Sequence, residues 1–164
     1  MVDLLSHVLF AYAGVTVVSL AVDVSRAART AALFGAIVPD VSKVGLFVDD
    51  DPLEALVGGS IEVLGWHTLL GVGLSIGIAG LLVGRRFRRT AIRWMAVGVT
   101  SHLLLDALLR TPTGTSSYAL FWPVSGYRPP TPGLYLSGDP VVLVVAALAA
   151  GGAWSVRRHI TRHR

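Results

Sequence analysis

The sequence predicts an all-α fold: a polytopic transmembrane helical bundle of about four to five apolar segments, forming a single membrane domain over residues 1–164. Three observations carry that prediction. Hydrophobic residues make up 53% of the chain and charged ones only 15%, with a mean hydropathy of +0.66, whereas ordinary soluble domains are roughly 25% charged. Apolar stretches close to the roughly 20 residues needed to cross a bilayer recur along the chain. Basic residues gather at alternate joints between these stretches, as they do in the cytoplasmic loops of multi-pass proteins of the cell membrane.

The first segment, Leu4 to Val22, is followed by Arg26 and Arg29. A secretory signal would open with basic residues, but this stretch opens with Asp3 and carries His7 within its apolar run, so it reads as a retained span. Ala31 to Val48 is also apolar, but Pro39-Asp40 and Lys43 interrupt it. A broken or re-entrant segment is the expectation there.

Asp49, Asp50, Asp51, Pro52 and Glu54 mark a solvated loop, leading to a short amphipathic stretch around Leu53 to Val57 and a break at Gly58-Gly59. The third span is read from Ile61 to Val83, closed by Gly84, Arg85, Arg86, Arg88 and Arg89. Ile92 to Leu109 follows at once, and so short a joint predicts antiparallel neighbours. Gly73, Gly77, Gly80 and Gly84 share one face of the third span, which predicts close approach by another helix there.

The stretch from Arg110 to Gly138 is rich in Pro, Gly, Ser and Thr, and its aromatics Tyr118, Phe121, Trp122, Tyr127 and Tyr135 suit a loop at headgroup level. Asp139-Pro140 has the form of an N-cap followed by a first-turn proline. The last span then runs to Trp154, ahead of the basic tail from Arg157 to Arg164. With the N-terminus outside, every arginine cluster lies inside, provided that the Ala31 segment crosses.

Several functions are excluded by composition and placement. There is no cysteine, so no thiolate nucleophile exists and any metal must be held by nitrogen and oxygen. The pI of 10.1 does not indicate a nucleic-acid partner, because the arginines sit between apolar spans without a recognition helix. Membrane lipids are the expected partners. Gly71-x-Gly73 lacks the preceding strand of a dinucleotide fingerprint and reads as packing.

An ionisable side chain within a span is costly enough to require a partner or a function. His7, Asp40, His67, His102 and Asp106 are the candidates. His102 and Asp106 are four apart on one helix and so share a face. The orientation above puts all five in the outer leaflet. Three imidazoles and two carboxylates without a thiol suit zinc or a similar divalent metal. Such an ion lowers the pKa of bound water and polarises phosphoryl or carbonyl oxygens, which makes hydrolysis the natural chemistry. Asp40 or Asp106, whichever is not needed as a ligand, is the candidate catalytic base.

The pieces Ser6-His7, Gly35-Ala36-Ile37-Val38-Pro39-Asp40, Trp66-His67-Thr68, Ser101-His102-Leu103-Leu104-Leu105-Asp106 and Leu120-Phe121-Trp122-Pro123 occur in an order that resembles the YdjM-like membrane-bound, metal-dependent hydrolases. The resemblance covers most of the chain. It implies a polytopic membrane protein with a divalent-metal site at His7, Asp40, His67, His102 and Asp106. A lipid or other phosphoester is the substrate class that the location favours. Two alternatives stay open at this point: a non-catalytic bundle in which the same residues form a buried polar network, and a small transporter, since a proline-broken segment bearing an acid is also a transporter feature.

Overall fold

The computed structural model describes residues 2–41 and 66–162. The second half of the Ala31 to Val48 segment, the acidic loop, the Leu53 to Val57 stretch, Gly58-Gly59 and the expected start of the third span at Ile61 lie outside the described residues. Within them the chain forms five helices, α1 (Val2–Ala21), α2 (Arg26–Ile37), α3 (Leu69–Leu82), α4 (Arg85–Asp106) and α5 (Pro140–Arg162). No strand occurs among the described residues; the loop between α4 and α5 has only two isolated bridges, Leu109 with Tyr135 and Thr115 with Pro130.

Local chemistry sets the helix ends. Ser25 caps α2, its Oγ accepting from Ala28 N at 3.1 Å, and Pro39 prevents the helix from running on. The chain tightens instead into a 3₁₀ turn over 38–41 that carries Asp40. Thr68 caps α3 by accepting from Gly71 N at 3.0 Å. Asp139 caps α5, its Oδ1 accepting from Val141 N at 2.9 Å. The expected tail after Trp154 is itself helical as far as Arg162. Arg158 lies over the Trp154 ring at 5.0 Å, and basic residues favour the negative end of the helix dipole.

The bundle is inside out by the standard of water-soluble proteins. The largest fully buried side chains are His102, Thr16 and Pro39, while Leu82 is 83% exposed and both Leu81 and Leu148 are 71% exposed. Water would drive the reverse arrangement; hydrocarbon does not penalise exposed leucine and does penalise exposed polar groups. Two helices, α1 over Leu4–Ala21 and α5 over Pro140–Arg162, are long and apolar enough to cross a membrane, and α3 is apolar but shorter. The other two differ from the expected spans. Twelve residues of α2 reach only about 18 Å, and α4 begins in the arginine cluster.

The tightest packing joins α2 to α4. A Cβ on Gly98 would stand 1.9 Å from the Ala32 carbonyl oxygen, and one on Gly35 would stand 2.1 Å from that of Met95. The two backbones therefore touch, and no side chain fits between them. On the α3 face, where the glycine spacing predicts close approach, Gly80 meets the Ile92 side chain at 2.8 Å, while Gly73, Gly77 and Gly84 meet nothing within 4 Å among the described residues. Periodicity identifies a small-residue face but not whether a helix lies against it. The α3–α4 pair is closed by Arg88, whose Nε donates to the Gly80 carbonyl at 2.8 Å, and by a cluster of Val38, Val72, Ile76, Met95 and Val99.

Candidate metal centre

Four elements deliver five polar side chains to one end of the bundle. His7 lies near the start of α1, Asp40 in the turn after α2, and His67 just before the cap of α3; His102 and Asp106 close α4 one turn apart. His7, Asp40 and His102 are buried. His67 is the most exposed of the group, its side chain 20% accessible against 9% for Asp106.

The α2–α4 contact orients the centre. Because the backbones touch at Gly98, the Ala36 carbonyl reaches His102 Nδ1 at 2.7 Å. A carbonyl oxygen only accepts, so Nδ1 carries the proton. That leaves Nε2 facing the carboxylates, with Asp106 Oδ2 at 3.4 Å and Asp40 Oδ1 at 3.8 Å. Fixing the tautomer through the second nitrogen is how proteins prepare a metal-binding imidazole.

The other donors close around the same point. His67 Nε2 is 3.4 Å from Asp40 Oδ1 and 3.8 Å from Asp106 Oδ2, and His7 Nε2 is 3.2 Å from Asp106 Oδ1. The His7 and His102 rings stack with centroids 3.7 Å apart. Yet His102 Nε2 and His7 Nδ1 are buried without an aligned hydrogen bond, which costs about 1–3 kcal/mol for each such group. Buried imidazole nitrogens without an aligned hydrogen bond, gathered beside carboxylates, fit a shared cation. Two overlapping triads, His7 with Asp40 and His102, and His67 with His102 and Asp106, each bring their donor atoms within 4.8 Å of one another. The residues present could hold a metal ion, and all of their donors are nitrogen or oxygen.

Tyr118 also belongs to this cluster, although sequence reading places it among the headgroup aromatics. Its hydroxyl donates to Asp106 Oδ2 at 3.1 Å, and its ring stacks on His67 with centroids 4.8 Å apart. Burial, reinforced by the Asp106 carboxylate, pushes the phenol above its ordinary pKa, so it remains a proton donor. Nothing in the loop sequence separates Tyr118 from Tyr127, which is 59% exposed. The signal lies in the fold of the loop, pinned to the helices by Leu69 N donating to Leu120 O at 2.9 Å and by Tyr135 OH donating to Leu105 O at 2.7 Å.

In comparison with known proteins, residues 1–163 match the family described as YdjM inner membrane protein. No curated protein and no solved structure matches the chain.

Proposed function

The chain belongs to the YdjM inner membrane protein family and is a membrane protein; from that premise we propose that it is a metal-dependent hydrolase whose centre opens toward the outer leaflet. The single observation that supports this most is the grouping of His7, Asp40, His67, His102 and Asp106, with donor atoms gathered and His102 Nε2 buried without an aligned hydrogen bond. His102 offers only that nitrogen, and both triads need it, so one ion is held per chain.

The placement of charge favours four to five crossings. The start of α2, the start of α4 and the end of α5 carry Arg26, Arg29, Arg85 to Arg93 and Arg157 to Arg162. The five candidate ligands sit at the opposite helix ends. Counted from the helix ends next to the arginines at 1.5 Å per residue, His7, Asp40, His67 and His102 lie about 20–25 Å up, within a hydrocarbon core about 30 Å thick. A basic inner face therefore puts the centre in the outer half of the membrane.

A bound divalent ion would supply Lewis-acid polarisation and a water of lowered pKa. The protein's own residues do the rest. His102, His7 and His67 supply nitrogen donors, Asp106 supplies an oxygen, and Asp40 is placed to accept the proton of the attacking water. The helix walls exclude bulk water, and the 107–139 loop forms the rim.

A lipidic phosphoester suits the surroundings. A cavity of about 170 Å³ lies between α1 and α4, lined by Ala11, Gly14 and Val18 on one side and Trp94, Val97 and Ser101 on the other. Ala11 is one turn below His7, and Ser101 adjoins His102. A chain in that groove would set its headgroup at the centre.

The test is hydrolysis by zinc-loaded protein in lipid nanodiscs, comparing long-chain phospholipid with a short-chain soluble phosphoester. Cleavage of the long-chain ester, reduced about 100-fold or more in Asp40→Asn, is expected. Metal-loaded protein that cleaves neither ester would overturn the hydrolase reading and leave a non-catalytic bundle.

A further inference from the structure

We propose that Tyr118 is a positioning residue for the metal centre: its hydroxyl holds Asp106 and its ring holds His67, so that both present their donors to one cation. The inference rests on the metal reading above and assigns a role to a loop residue that this reading does not need.

Both side chains it touches lie where helical control is weak. Asp106 is the last residue of α4, where intrahelical bonding runs out. His67 precedes the α3 cap and is the most exposed of the five candidate ligands. Tyr118 acts on both. Its hydroxyl occupies one lone pair of Asp106 Oδ2 while His7 lies against Oδ1, which leaves the rest of Oδ2 turned toward His102 and His67. Its ring covers one face of the His67 imidazole and restricts rotation of a side chain that would otherwise swing toward the surface.

The loop is built to deliver this residue. Ser116 N donates to Pro129 O at 2.7 Å, Thr131 N to Gly114 O at 3.0 Å, and Arg128 Nη1 to Ser117 O at 2.8 Å. Two strands of loop are thereby clasped on one side of Tyr118, and the Leu69–Leu120 bond anchors the other side to α3. Groups that orient metal ligands from the second rank alter affinity by about 10- to 100-fold when removed.

The experiment titrates purified full-length protein in detergent with Co(II) alone, reading the visible spectrum and the melting temperature. Tyr118→Phe keeps the ring and removes the hydroxyl. It is expected to weaken Co(II) binding at least about tenfold and to alter the spectrum, with little change in melting temperature. Tyr127→Phe, in the same loop but away from the cluster, is expected to bind as the native protein does. Native affinity and an unchanged spectrum in Tyr118→Phe overturn the proposal, as does an equal loss in Tyr127→Phe. Native protein that binds no Co(II) overturns the metal reading itself, an outcome distinct from failure of the tyrosine's role.

Discussion

Gly98→Ala is expected to destabilise the protein by about 3 kcal/mol or more, a fall in melting temperature of roughly 10 °C. The added methyl would stand 1.9 Å from the Ala32 carbonyl and 2.7 Å from the Ala36 nitrogen. Both obstacles are backbone, so no rotamer change relieves them, and α2 must move off α4. That movement also draws the Ala36 carbonyl away from His102, losing a buried hydrogen bond. Gly14→Ala and Gly73→Ala are the controls. Among the described residues neither Cβ meets anything within 4 Å, and alanine is the better helix former by about 1 kcal/mol, so both are expected to be neutral or slightly stabilising. Thermal unfolding in detergent checks all three; an unchanged melting temperature for Gly98→Ala would mean that the helices do not touch there.

His102→Ala is expected to lower zinc affinity by at least about 100-fold, beyond the range for residues that only orient ligands. His102 is common to both donor triads and is fully buried, at 0% exposure. Its removal leaves the Ala36 carbonyl without its imidazole donor, so some loss of stability accompanies the loss of metal. His102→Gln separates the two effects, since an amide offers a donor to Ala36 but a poor metal ligand. Both variants are expected to lose zinc, and His102→Gln to melt closer to the native protein. Zinc affinity preserved in both would remove His102 from the centre.

How much of this was legible in the sequence depends on how local each cause is. The helix start at Asp139 and the stop at Pro39 are set by neighbours within four residues, and their chemistry is visible in the string, whereas the second helix begins at Arg26, ahead of the apolar stretch at Ala31 that marks it in the sequence. The one-turn spacing of His102 and Asp106 likewise follows from helix geometry alone. The grouping of His7, Asp40 and His67 with that pair came from the expense of ionisable groups in hydrocarbon, combined with depths set by the arginines.

What could not be read depends on distant contacts. Gly98 and Gly35 look no more like contact residues than Gly73 or Gly77, because the difference lies in which helix stands opposite. Tyr118 resembles its aromatic neighbours until the loop folds back on α3 and α4. The tautomer of His102 depends on a carbonyl 66 positions away. The Ala31 segment reads as a broken span or a re-entrant segment; its helix ends at Ile37, and its continuation past residue 41 lies outside the described residues.

The most direct test is the metal content of the native protein, purified from the membrane in detergent without chelator and measured by inductively coupled plasma mass spectrometry against protein concentration. Five inward-facing donors that share one histidine nitrogen predict a single divalent ion per chain, retained through dialysis. Protein that is folded and metal-free, and that takes up none when zinc is supplied, would contradict this and reduce the cluster to a hydrogen-bonded strut between helices.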